Sequence, residues 1–127
     1  MQKIFDIPQA LTQAHPNVNS LFMIHLIYPD TLHAMMQKNE AIIIDVREAE
    51  EFNETKIEGA ILMPLGTVTL QKLEEVSKNG KKVVIQCRSG IRSMKACNFL
   101  LEQEKDLELY HLEGGILAWN EFKQFVK

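Results

Sequence analysis

The sequence predicts an α/β fold, with a mainly parallel central sheet and helices on both of its faces. Short apolar runs alternate with segments whose apolar residues recur every three or four positions, which are the periodicities of strands and helices. Parallel neighbours need crossover connections, and the intervening helices supply them. The chain has 127 residues, of which 46% are hydrophobic and 24% charged, so one domain with its own core is expected.

Proline and polar residues divide the first half of the chain into short elements. A helix is disfavoured just before Pro16, and Pro29-Asp30-Thr31 begins the next helix. A β-branched run follows that suits a strand buried on both faces. The predicted elements are a helix over 9–14, a strand over 21–27, a helix through Lys38, a strand over 41–46 and a helix over 48–54.

Apolar spacing and glycines indicate the elements of the second half. Apolar residues fall three or four apart from Ile91 to Leu101, as one face of a helix requires, and Gly114-Gly115 turns the chain into a last helix. The predicted elements are a strand over 59–63, a helix over 67–78, a strand over 82–86, a helix from Ile91 past Leu101, a strand over 107–112 and a helix carrying Ile116, Trp119 and Phe122.

The chain is expected to divide into an N-terminal extension over 1–27 and a domain over 28–127. The stretch 21–27 is too apolar for a free tail, so the extension should pack on the domain or on a second copy of it. The oligomeric state stays open.

Net charge and cysteine content indicate which cellular compartment and which classes of partner to expect. A net charge of −3 gives no basic field for a phosphate backbone, so nucleic acid is not an expected partner. Two cysteines are too few for a disulfide scaffold, which favours a reducing compartment. The sequence has no apolar run long enough to span a bilayer and no leader pattern, so we expect a cytoplasmic protein with no membrane partner.

The segment Cys87-Arg88-Ser89-Gly90-Ile91-Arg92 lies between a predicted strand and a predicted helix, where α/β sheets bind ligands. A cysteine beside cations at a helix N-terminus has a lowered pKa. The small residues Ser89 and Gly90 let the backbone curl until several amides point at one centre. This loop therefore suits a thiolate, an anionic persulfide or an oxyanionic substrate, and charge alone does not choose among them.

Other candidate residues are expected to support the fold rather than the chemistry. Asp45 and Arg47 are two apart on a strand and share a face, which predicts a buried polar pair near the site. Cys97 lies about 9 Å along the helix from the loop, beyond disulfide reach, and should be a core residue. The four histidines have no metal-ligand spacing, so no metal is expected.

Several separated motifs resemble those of the rhodanese domain, over roughly residues 28–126. The order and spacing of the motifs fit throughout. They are Ile44-Asp45-Val46-Arg47-Glu48, Phe52, Gly59-Ala60, Pro64-Leu65, the loop from Cys87 to Arg92, and Leu112-Glu113-Gly114-Gly115-Ile116 with Trp119.

The resemblance implies a thiosulfate sulfurtransferase that needs no cofactor. In that family the cysteine matching Cys87 accepts a sulfane sulfur from a donor such as thiosulfate and passes it to cyanide or a thiol. The residues from Arg88 to Arg92 would bind the donor, and Asp45 and Arg47 would brace the fold. An alternative is a sulfur-relay or interaction module with a protein partner.

Loop length bears on a third interpretation. Cdc25 phosphatases and arsenate reductases resemble rhodaneses but have one more residue between the cysteine and the arginine, which widens the cradle for a tetrahedral oxyanion. Four residues separate Cys87 from Arg92 here, which favours sulfur chemistry and leaves an oxyanion enzyme as the less favoured alternative.

Overall fold

The computed structural model describes residues 24–77 and 79–126, in which five strands form one parallel sheet in the order β1-β5-β4-β2-β3. In chain order the elements are β1 (Ile24–Ile27), α1 (Pro29–Gln37), β2 (Ala41–Asp45), α2 (Ala49–Glu54), β3 (Ile61–Leu62), a 3-10 turn (Leu65–Thr67), α3 (Leu70–Val76), β4 (Lys82–Gln86), α4 (Ile91–Gln103), β5 (Leu109–Leu112) and α5 (Gly115–Lys123). The predicted fold class is confirmed.

Three predicted elements differ from those observed by two or more residues, and the first of them is the strand predicted over 107–112, which begins at Leu109. The predicted strand over 59–63 shortens to the two residues of β3, and the helix predicted from Thr67 begins at Leu70. The reason is a cap, because the Thr69 side chain accepts a hydrogen bond of 3.1 Å from the Lys72 amide and so fixes the helix start. The helix predicted over 9–14 lies outside the described residues.

The strand predicted over 21–27 is described from Ile24 onward. Its four described residues form β1, which pairs in parallel with β5 and completes one edge of the sheet. The described part of the expected extension therefore contributes a strand to the sheet. No helix among the described residues is both long and apolar enough to cross a membrane.

The sheet separates two apolar clusters, as a run of residues buried on both faces requires. One cluster lies against α3 and α4 and includes Ile44 and Ile85. The other lies against α1 and α5 and includes Ile43 and Val84. Because successive side chains on a strand point to opposite faces, Cys87 falls on the α4 side, where it joins the first cluster.

A buried ion pair follows β2. The guanidinium of Arg47 donates to both carboxylate oxygens of Asp45, from Nη2 at 2.8 Å and from Nε at 3.0 and 3.1 Å. It also donates to the carbonyl of Thr55 at 2.7 Å, which ties the end of β2 to the end of α2. Asp45 and Arg47 are 0% and 3% exposed, so neither charge is solvated if the other is removed.

We expect Arg47→Met to lower the free energy of unfolding by about 3–5 kcal/mol, because it leaves the Asp45 carboxylate buried and unpaired. The double variant Asp45→Asn with Arg47→Met should cost clearly less than the sum of the two single changes. Urea unfolding measures both. Lys95→Met, at an exposed position on α4, is the control and should change stability by less than about 0.5 kcal/mol. Additive losses would contradict the coupling.

Candidate active site

The fold places Cys87 directly after β4, at the carboxyl edge of the sheet. β4 lies between β5 and β2, so the loop that follows it is flanked by the ends of two neighbouring strands. The loop ends at Gly90, and α4 begins at Ile91. Cys87 is 1% exposed, which puts its sulfur at the floor of the loop.

Hydrogen-bond donors converge on the Cys87 sulfur. The amide of Gly90 donates at 3.1 Å and the amide of Ser93 at 3.3 Å, and the Ser93 hydroxyl lies 3.4 Å away. Burial raises the pKa of the Cys87 thiol, but bonds from the Ser93 hydroxyl and from the Ser93, Gly90 and Ser89 amides outweigh it and lower the pKa overall. The arrangement favours the thiolate.

Gly90 has the backbone shape that this ring of amides needs. Its φ is 120°, a conformation that residues with a side chain rarely adopt, and it lets the Gly90 amide turn back to the sulfur. A Cβ at this position would also meet the His111 ring at 3.4 Å. The backbone at Gly90 is therefore curled, as expected from the small residues Ser89 and Gly90.

The first turn of α5 holds the loop from the side opposite the sulfur. The Ile116 amide donates to the Cys87 carbonyl at 2.9 Å, and the Leu117 amide donates to the Arg88 carbonyl at 3.1 Å. This contact needs glycine at Gly115, where φ is 59° and a Cβ would lie 2.5 Å from the Cys87 carbonyl oxygen. The Arg88 carbonyl would be closer still.

Arg88 lies in the loop and Arg92 in the first turn of α4, and the two arginines have different contacts. Arg92 donates to both carboxylate oxygens of Glu51 in α2, at 2.7 and 2.9 Å. The hydrogen bond from Arg92 is the largest cause that lowers the pKa of Glu51, to about 2, so this pair stays ionised. Arg88 is exposed. Both arginines are expected from the sequence to stabilise the thiolate, whereas in the structure the hydrogen bonds at the sulfur come from Gly90 and Ser93.

Sequence reasoning missed Ser93 and His111. The Ser93 hydroxyl contacts both the Cys87 sulfur and Nε2 of His111, at 3.4 and 2.7 Å. Ser93 is fully buried on the inner face of α4, and a polar residue on an apolar helix face was the available signal. His111 gave no such signal, because its place at the site depends on β5 lying beside β4.

Three other predicted residues lie away from the sulfur. Asp45 alternates with Ile44 along β2 and therefore faces α1 and α5, so the Asp45–Arg47 pair lies across the sheet from Cys87. Cys97 is 0% exposed within α4 and belongs to the core, as expected. Burial raises the pKa of the Cys97 thiol to about 12, so it remains protonated and unreactive at neutral pH.

Iodoacetamide at pH 7 should alkylate Cys87 and leave Cys97 unmodified. A lowered pKa means that the thiolate persists at lower pH, so the rate at Cys87 should reach half its maximum below about 8.5, the ordinary thiol value. Mass spectrometry after digestion measures each cysteine. In guanidinium chloride both should react alike, and a native midpoint at or above about 8.5 would contradict thiolate stabilisation by the loop.

Gly115→Ala should destabilise the protein by about 3 kcal/mol or more, because it adds backbone strain to a collision with two carbonyl groups. Gly59→Ala is the matched control. Gly59 also has a positive φ, 83°, but a Cβ there meets nothing within 4 Å. That variant should cost only about 1–2 kcal/mol of backbone strain in urea unfolding. Equal losses would show that the contact with α5 contributes nothing.

Comparison of the amino-acid sequence with known proteins identifies relatives of this chain. The model of the rhodanese-like domain matches residues 28–122. YtwF of Bacillus subtilis (strain 168), which carries a sulfurtransferase name, is 41% identical over 63% of this chain and 74% of YtwF. A sulfurtransferase of Allochromatium vinosum is 33% identical over 76% of this chain and 89% of that protein.

A tRNA uridine(34) hydroxylase of Acinetobacter baumannii (strain AYE) is also 33% identical, but this chain spans only about a third of its length, 32%. Relatives that contain a similar domain therefore do not all share one activity.

Solved structures share the fold. A rhodanese-related protein from Thermoplasma volcanium superposes with a TM-score of 0.64 at 28% identity, over 77% of this chain and 92% of that one. A thiosulfate sulfurtransferase from Pseudomonas aeruginosa superposes with a TM-score of 0.72 at 20% identity, over 89% of this chain and 21% of that one. An As-Sb reductase from Leishmania major gives 0.67 at 23% identity, over 81% of each chain, so the fold alone does not select the chemistry. Because the family model matches residues 28–122, which is most of its length, the chain belongs to the rhodanese-like domain family.

Proposed function

We propose that the protein is a sulfurtransferase that moves a sulfane sulfur from a donor such as thiosulfate to cyanide or a thiol, through a persulfide on Cys87. The observation that carries the proposal is the convergence of donors from Gly90 and Ser93 on a buried sulfur. Amides and a hydroxyl around a thiol favour its charged form, which is the nucleophile. The sulfurtransferase names of two relatives support the same chemistry.

The proposed cycle has two displacement steps. The Cys87 thiolate attacks the outer sulfur of thiosulfate, the sulfur–sulfur bond of the donor breaks, and sulfite leaves with the electron pair. Cyanide or a thiolate then attacks the outer sulfur of the persulfide. The new bond forms thiocyanate or an acceptor persulfide, and the electron pair returns to Cys87 as thiolate. No external oxidant or reductant is needed.

The loop suits the intermediate as well as the nucleophile. The outer sulfur of a persulfide lies about 2 Å beyond Sγ and carries the negative charge. We expect the donors around Sγ to supply hydrogen bonds to that charge as well, as curled backbone does when it binds anions. Arg88 is an exposed residue of the loop, where it is suited to attract a donor anion. Arg92, held by Glu51, adds its charge through space.

A reducing, cytoplasmic setting is part of this proposal. Both cysteines are free thiols, and the cycle begins from reduced Cys87. The partners proposed are a small donor and a small acceptor, and the negative net charge speaks against nucleic acid.

A sulfur relay to a protein is the second candidate, and exposed apolar residues favour it. Ile91 is 68% exposed at the start of α4, and Leu117, whose amide contacts Arg88, is 46% exposed. Apolar side chains beside a nearly buried thiol suit a protein that delivers or receives sulfur.

Incubation with thiosulfate should leave the protein one sulfur atom heavier, with that sulfur on Cys87. Cys87→Ser should abolish both the added mass and cyanide-dependent thiocyanate production, because it removes the nucleophile. Cys97→Ala is the control and should keep both, apart from a packing cost of about 1–2 kcal/mol. Mass spectrometry and thiocyanate colorimetry measure the two effects. Extra sulfur on Cys97, or full turnover in Cys87→Ser, would overturn the proposal.

The same preparation separates the alternatives. A small-molecule enzyme should saturate with thiosulfate, whereas a relay protein should show very poor affinity for thiosulfate but accept sulfur from a protein persulfide. Hydrolysis of an aryl phosphate, or reduction of arsenate by added thiol, at a rate above the thiosulfate rate would favour an oxyanion enzyme.

A further inference from the structure

His111 is a buried ionisable side chain that the proposed cycle leaves without a role. It is 2% exposed in β5, opposite Ile85 of β4, and it faces the loop that holds Cys87. Its Nε2 lies 2.7 Å from the Ser93 hydroxyl oxygen and 3.0 Å from the Gly90 carbonyl oxygen. Its Nδ1 lies 3.5 Å from a carboxylate oxygen of Glu113.

The Gly90 carbonyl decides which ring nitrogen carries hydrogen. A carbonyl oxygen can only accept a hydrogen bond. Nε2 of His111 lies 3.0 Å from the Gly90 carbonyl oxygen, and without a hydrogen on Nε2 the lone pairs of the two atoms would repel each other, so Nε2 must be a donor. His111 therefore donates from Nε2 toward the Gly90 carbonyl and the Ser93 hydroxyl oxygen.

The Ser93 hydroxyl has one hydrogen and three neighbours that could receive it. They are the Cys87 sulfur, the Gly90 carbonyl at 3.1 Å and Nε2 of His111. Nε2 is excluded because it is itself a donor. The Gly90 carbonyl already accepts from the Met94 amide at 3.1 Å and from His111, which fills its two lone pairs. The hydroxyl hydrogen is therefore left for the sulfur.

We propose that His111 is a positioning residue, which directs the Ser93 hydroxyl hydrogen to the Cys87 sulfur and so holds Cys87 ready for sulfur transfer. The inference rests on the proposed function for its catalytic meaning. It extends the site from the loop into β5, through a contact that needs no movement of the backbone.

Few charged groups among the described residues lie near the contact between His111 and Ser93. Glu113 follows β5 and faces Nδ1, while Arg92 of α4 is paired with Glu51 of α2. The remaining ionisable group on the inner face of α4 is Cys97, which stays neutral. Among the described residues, the ionisable group in direct contact with Ser93 besides Cys87 is thus His111.

Four variants in the full chain test the proposal, with the pH midpoint of Cys87 alkylation as the readout. Ser93→Ala and His111→Leu should each raise the midpoint by about one pH unit, since each removes the same hydrogen bond to a charged sulfur. The double variant should rise no further than Ser93→Ala alone, because both changes act through one bond. His111→Gln, whose amide can place an N–H near the Nε2 position, should return the midpoint most of the way to the wild-type value.

A second substitution guards against simple unfolding of His111→Leu. His111→Asn keeps a polar amide but is too short to reach Ser93, so it should behave like His111→Leu, with melting temperature and circular dichroism checking the fold. A wild-type midpoint in His111→Asn, additive shifts in the double variant, or a full shift in His111→Gln would each overturn the positioning role.

Failure of the proposed function is distinguishable from failure of this inference. If no persulfide forms on Cys87 while the midpoints shift as expected, the proposed function is contradicted and the positioning role of His111 is supported. If the persulfide forms and the alkylation midpoint of His111→Asn equals that of the wild type, the positioning role is contradicted and the proposed function is supported.

Discussion

The two hydrogen bonds from the first turn of α5 to the carbonyls of Cys87 and Arg88 are the constraint on which the rest of the site depends. In a trans peptide the carbonyl and the following amide point in opposite directions. Holding the Arg88 carbonyl against α5 therefore turns the Ser89 amide toward the sulfur, where it contributes to the lowered pKa of Cys87. The glycine at 115 makes this contact possible, so a residue of the last helix shapes a loop more than twenty positions earlier.

The site reconciles burial with charge by means of dipoles rather than full cations. Removing a thiolate from water is unfavourable, and burial accordingly acts to raise the pKa of Cys87. Amides and one hydroxyl replace the lost water and are already oriented when the charge forms. The hydrogen bonds of the Arg92 guanidinium go to Glu51, so the cation lies near the loop without covering the sulfur.

The local pattern of the sequence was enough to predict the fold class and the Cys87 loop. Periodicity determines which segments are strands, and a cysteine followed by small and basic residues indicates a thiolate site. The partners of that loop are different, because Ser93 meets His111 across 18 positions and Arg92 meets Glu51 across 41. Those contacts depend on the order of strands in the sheet, which the spacing of apolar residues does not specify. Alternation along β2 puts Asp45 and Ile44 on opposite faces, but which face holds Cys87 follows from the register of β2 with β4, in which Asp45 pairs with Gln86.

The burial of Cys97 within α4 has a consequence for the oxidation of Cys87. A thiolate oxidised to the sulfenic acid is commonly rescued by a second cysteine that closes a disulfide. The chain has two cysteines, and Cys97 is fully enclosed, protonated and about 9 Å along its helix from the loop. Cys97 is therefore not placed to resolve an oxidised Cys87, and reduction of Cys87 would depend on a thiol from outside this domain.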